Sequence, residues 1–106
     1  MIVTTTGSVD GRAIRSYLGV VSGEAVMGAN LFRDFFAGIT DIVGGRSEMY
    51  ENVLRAGRDQ AIAEMTAEAR QLGADAIVGV SLDYEAIGAS DSMMMVVATG
   101  TAIKLV

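Results

Sequence analysis

The sequence contains no cysteine, no histidine, no proline and no tryptophan, and its only lysine is Lys104. Without cysteine there is no disulfide framework, thiolate metal site or thiol nucleophile. Without histidine the commonest general base and transition-metal ligand is missing as well. No proline marks a domain boundary, and 106 residues suit a single domain over 1–106. Basic residues are scarce: 8 Lys and Arg face 13 Asp and Glu, a net charge of -5. Charge-driven binding of nucleic acid or an anionic membrane needs clustered Lys and Arg, so neither is expected as a partner. No apolar run reaches the ~18 residues of a membrane-spanning helix. Met1-Ile2-Val3 runs straight into three threonines and Gly7, unlike a secretory signal. The expectation is a soluble, cytoplasmic protein.

What the chain has in excess is apolar surface. Apolar residues other than tyrosine, with the 13 glycines, fill about 60% of it, above the roughly 45–50% of ordinary soluble domains. Residues 2–6 and 13–27 read as strands, joined as a loose hairpin by Gly7-Ser8-Val9-Asp10-Gly11. In the second strand, Ile14, Ser16, Leu18, Val20 and Ser22 alternate with Tyr17, Gly19, Val21 and Gly23, and the two glycines suit bulges or close backbone approach.

From Asn30 the period changes. Phe32, Phe35, Phe36, Ile39, Ile42 and Val43 recur at helical spacing, with Asn30 as N-cap and Gly44 at the C-terminal end. Ser47 then caps a second, long helix running to Leu72, with Tyr50, Val53, Leu54, Gly57, Ala61, Met65, Ala69 and Leu72 as its buried seam. Arg55 and Asp59 form one of its i,i+4 pairs, and Gly73 stops it. Segments 76–85 and 93–105 read as an antiparallel pair of strands. The last is apolar on both faces, whereas a two-layer domain covers only one face of its sheet. A buried subunit interface accounts for this, so a homo-oligomer is expected.

Four groups of residues carry candidate chemistry. Gly44-Gly45-Arg46-Ser47 ahead of a long helix offers backbone N–H groups, a helix N-terminus and a guanidinium to an anion or ligand. An ordinary helix–helix turn explains it better, because Glu48 and Glu51 already occupy that positive end. Asp83 and Glu85, two apart on a strand, point to the same side and would suit a divalent cation. Asp34 and Asp41 share a helix face in the same way, yet no calcium-loop pattern is present and a solvated polar edge is commoner. Met93-Met94-Met95 suggests soft-metal binding, but alternation on a strand turns the middle sulfur away, so packing is the stronger reading. Serine and threonine nucleophiles have no G-x-S-x-G elbow, and Tyr17, Tyr50 and Tyr84 are expected at the core boundary.

Gly44-Gly45-Arg46-Ser47 with Tyr50-Glu51, then 72–80 (LGADAIVGV), Asp83-Tyr84-Glu85 and the closing Gly100-Thr101-Ala102-Ile103 together resemble the YbjQ-like family. Thr99 departs from the aromatic expected before Gly-Thr-Ala. The resemblance implies an α+β fold: two layers, with a mostly antiparallel sheet packed against one short and one long helix, as in a dodecin-like subunit. It further implies a homopentamer or a dimer of pentamers, and it brings a heavy-metal-binding label but no catalytic residues. A heavy-metal site ordinarily uses Cys or His, and the chain has neither. The leading expectation is a ring-forming, non-enzymatic scaffold that offers a shared pocket to a small ligand or partner, with subunit contacts made by the last strand and the Ala- and Gly-rich helix. The alternative is an oligomer binding a divalent or soft metal through carboxylates, Asp83 and Glu85 foremost, or methionines repeated around the ring. An enzyme with its site between subunits is a third class.

Overall fold

The computed structural model describes residues 1–28, 48–89 and 93–106. Its elements are β1 (Ile2–Val3), β2 (Ile14–Met27), α1 (Glu48–Gln71), β3 (Ala76–Ile87) and β4 (Met93–Leu105). The helix expected over 30–44 lies outside the described residues. The four strands make one mixed sheet in the order β1-β3-β4-β2, and α1 packs on one face of it, so the fold is α+β.

β4 is central, antiparallel to both β2 and β3. The expected hairpin between the first two strands does not form. β1 runs parallel to β3, at the opposite edge from β2. It is also shorter than the expected 2–6, because the Thr6 N–H donates to the Thr4 hydroxyl at 3.2 Å and bends the chain after Val3. Thr4 and Thr6 still follow β3: the Thr4 N–H donates to the Ile77 carbonyl, and Gly79 N–H donates to Thr6. The loop that follows crosses the sheet instead of turning back, and Val9 packs on Ala76, Val78, Ile103 and Leu105.

Irregular pairing resets which side chains face the helix. Gly19, at φ 126°, sits where the β2–β4 register shifts between Tyr17 and Gly19. Straight alternation puts Val20 on the face of Leu18; with the bulge, Leu18 and Val21 pack into the same core and Val20 turns out. A second shift, between Val78 and Ser81, surrounds Gly79 at φ 62°. It brings Ile77 and Val80 into one core although they are three apart.

The seam of α1 is Gly57, Ala61, Met65 and Ala69, all buried against Val21, Ala25, Val96, Ala98 and Ala102. The closest approach is at Gly23, where a Cβ would strike the Ala61 carbonyl oxygen and the Met65 backbone nitrogen. Leu72, expected in the seam, is instead 46% exposed. The helix ends at Gln71 in a Schellman turn: Ala74 N–H donates to Ala69, Gly73 N–H to Arg70, and Gly73 adopts φ 77°. The helical repeat therefore stops before Leu72, and Ala74 packs on the core in its place. Asp59 pairs with its neighbour Arg58 at 3.1 Å.

Candidate functional site

The face of the sheet away from α1 carries exposed side chains of β2 and the carboxylates of Asp83 and Glu85. Residues directly opposite in a ladder share a face. Reading across the strands, Val20 aligns with Thr101 and Val78, Ser22 with Thr99 and Ser81. Glu24 aligns with Val97 and Asp83, and Val26 with Met95 and Glu85. At one end this outward face is closed, because Val9 and Ile14 pack over Ala76, Val78, Ile103 and Leu105. Along β2 it is open: Tyr17 is 70% exposed, Val20 75% and Val26 53%. Tyr17 thus stands in solvent, not at the core boundary, whereas Tyr84 aligns with Val96 on the helix side and is 44% exposed. The opposite face of β2 is buried from Val21 to Met27 at every second residue.

Asp83 and Glu85 do share this outward face, as their spacing implies, and both are exposed. Glu24 joins them from β2, but across β4, so about 10 Å of sheet separates it from Asp83. Met93 and Met95 face outward, whereas Met94 packs against the helix-side core. Gly44, Gly45, Arg46 and Ser47 lie outside the described residues, as do Asp34 and Asp41.

One carboxylate has a clear electrostatic role. Asp75 Oδ2 accepts the Leu105 backbone N–H at 2.9 Å, and Oδ1 lies 3.9 Å from Lys104 Nζ. The Leu105 hydrogen bond, helped by the charges of Lys104, Arg12 and Arg15, holds this carboxyl below its ordinary value of 3.8. Around it, Asp75 N–H donates to Ile103, Val106 N–H to Ala13, and Arg12 Nη2 to the Val106 carbonyl. This is a joint tying both ends of the sheet's closed half, with the carboxylate already engaged by its own chain.

A family model described as "Putative heavy-metal-binding" matches residues 1–106. The chain belongs to the YbjQ-like family. A relative from Anoxybacillus flavithermus, called UPF0145 protein, is 57% identical over 105 residues, covering 99% of this chain and 98% of its own. The solved structure of a protein of unknown function from Pediococcus pentosaceus, assigned to the DUF74 family, matches with a TM-score of 0.67. It is 19% identical, with 100% of this chain and 98% of that one covered, and it shows that the fold is shared.

The heavy-metal description attached to the YbjQ-like family does not fit the donors of this chain. Cys and His are absent from the whole sequence. Among the described residues no group of three or more Asp or Glu is placed to hold an ion. The sulfurs of the methionine run divide between the two faces of the sheet. A soft ion would meet no converging set of donors within one subunit. Among the described residues, no helix is long and apolar enough to cross a membrane.

Two features of this surface escaped the sequence. The alignment of Glu24 and Asp83 on one face depends on β4 lying between β2 and β3, which no local pattern signals. The outward turn of Val20 depends on the bulge, for which Gly19 was the available sign.

Proposed function

We propose that this YbjQ-like chain is a ring-forming, homo-oligomeric cytoplasmic protein, a homopentamer or decamer, acting as a non-enzymatic scaffold that holds a small ligand or partner between subunits. The observation that carries the reading is the open stripe of Tyr17, Val20 and Val26 along β2. Bulky apolar side chains at such exposure, on a 14-residue strand at the sheet's edge, are a liability that folded proteins cover. β4 is flanked on both sides and Met94 faces the core, which supports a contact through β2 and the outward face, to which the last strand gives Met95 and Val97. Native mass spectrometry tests this. The wild-type protein is expected at five or ten times 11.1 kDa, and Val20→Asp at the subunit mass with its circular dichroism retained. A wild-type subunit mass overturns the proposal.

Within such a ring, Gly44-Gly45-Arg46-Ser47 is the anion or ligand candidate, and Arg46→Ala is expected to weaken phosphate binding. A second reading, divalent-metal binding, is favoured by Asp83 and Glu85 facing the same way. It requires ligands repeated from neighbouring subunits, since one subunit does not close the site. Chelator-sensitive metal uptake that survives Asp83→Asn with Glu85→Gln removes that pair.

A further inference from the structure

β2 is the outer strand of the sheet, with β4 on one side and, among the described residues, no strand on the other. The backbone groups of a strand point alternately to its two sides. One amide on the open side has a partner, because Ser22 N–H donates to Glu68 Oε2 at 3.2 Å. Pairing with β4 runs without a shift from Gly19 to Met27, so the amides and carbonyls of Val20, Glu24 and Val26 point the same way as those of Ser22. Such a row is what a further strand adds to.

The packing of α1 places the carboxylate there. The helix comes closest to the sheet on β2, where a Cβ on Gly23 would strike the Ala61 carbonyl oxygen and the Met65 backbone nitrogen. Glu68 follows Met65 by three residues and so leaves the helix on a neighbouring flank, one turn further on, within reach of the strand edge. Glu24 adds a second charge. Its side chain is exposed on the outward face, two residues from Ser22, so the edge carries a carboxylate on each side of the sheet. Ser22 and Glu68 are both exposed as well. A hydrogen bond between exposed residues adds little to the core; its consequence lies in what can reach the edge.

We infer that Glu68 guards the open edge of β2 by occupying the Ser22 amide that an incoming strand of a second copy needs, and so ends the sheet at this strand. Charged side chains at a sheet edge work in this way against edge-to-edge pairing. The guard stands on the geometry of one chain. Its corollary rests on the oligomer proposed above: copies meet on the outward face of β2 and not along its edge.

Three substitutions in the full chain test this. Glu68→Ala frees the amide, Glu68→Gln keeps an acceptor on it, and Ser22→Pro removes it, a change that an edge strand tolerates. In amide hydrogen exchange, Ser22 is expected to exchange about tenfold faster in Glu68→Ala than in wild type, and close to the wild-type rate in Glu68→Gln. Native mass spectrometry of Glu68→Ala is expected to show masses above the wild-type one, and Glu68→Ala with Ser22→Pro to return to it. An unchanged Ser22 rate in Glu68→Ala overturns the cap, and an unchanged mass overturns the guard. Ser22→Pro alone is expected at the wild-type mass with its circular dichroism retained; a fall to the subunit mass would put the edge inside the assembly's contact and overturn the corollary. A wild-type subunit mass overturns the oligomer itself, and the guard is then read from the same variants against that mass.

Discussion

The two faces of this sheet are built by opposite rules. On the helix side small residues line the closest contacts, among the larger buried side chains of Val21, Met65, Ile77 and Val96. Gly23, Ala25, Ala61, Ala69, Ala98, Gly100 and Ala102 are all buried, and α1 comes close enough that its backbone rests on β2. On the outward side the chain places Tyr17, Val20 and Val26, large and exposed. Small residues close a contact within the chain at short range, whereas large ones left open are suited to a surface that arrives later. The difference is set within single strands, since Val20 and Val21 are adjacent and belong to different worlds.

The largest test of that contrast is Gly23→Ala. Its Cβ would meet backbone atoms of Ala61 and Met65, which no rotamer change can move. The variant is expected to lose about 3 kcal/mol or more, read from the denaturant midpoint; an unchanged midpoint would break the close-approach account of the helix side. Gly100→Ala comes next, at about 1–3 kcal/mol, because its Cβ would lie 2.6 Å from Ile77 Cγ2 and 3.2 Å from the Val78 carbonyl oxygen. Gly57→Ala sharpens the ranking. Its Cβ meets the tip of Met27 and a methyl of Val96 at 3.0 Å, and alanine favours a helix interior by about 1 kcal/mol over glycine. The two effects offset, so a midpoint near wild type is expected even though this glycine too lies in the helix–sheet contact.

Much of the helix side was legible beforehand. The 47–72 helix, its seam from Gly57 to Ala69 and the antiparallel 76–85/93–105 pair all rest on local period and caps. What sequence could not supply was partner choice. β1 pairs with β3 through hydrogen bonds of Thr4 and Thr6, and nothing in 2–13 distinguishes that from a hairpin. Alternation failed at Gly19 and Gly79, where one extra residue reverses every later side chain. The candidate site was legible to the same depth. That Asp83 and Glu85 share a face follows from a period of two, while Glu24 and the open β2 stripe follow from sheet order and a bulge.

The contrast can be narrowed to one peptide bond. Val21→Thr puts a hydroxyl into a fully buried site, with an expected cost of about 1–3 kcal/mol. Val20→Thr makes the same chemical change on a side chain 75% exposed, and a change within about 0.5 kcal/mol is expected for the isolated subunit. Equal losses in urea unfolding at subunit-only concentrations would mean that the bulge at Gly19 does not reverse the faces.

The smallest effect concerns the closed half of the outward face, and it is confined to acid. Asp75 holds that half through Leu105 and is flanked by Lys104, Arg12 and Arg15. Its carboxyl titrates lower in the folded chain than its ordinary value of 3.8. Between the two values the unfolded chain binds the extra proton. Stability from this group is therefore fully present above about pH 4 and is lost as the pH falls through the folded value. Asp75→Asn keeps an oxygen to accept the Leu105 N–H but removes the titrating charge. Its unfolding midpoint is expected to fall less steeply than wild type below pH 4, with the two curves parallel above it. If the acid limbs coincide, Asp75 is not what fastens the closed end, and the cover over Ala76 and Ile103 rests on the packing of Val9 and Ile14 alone.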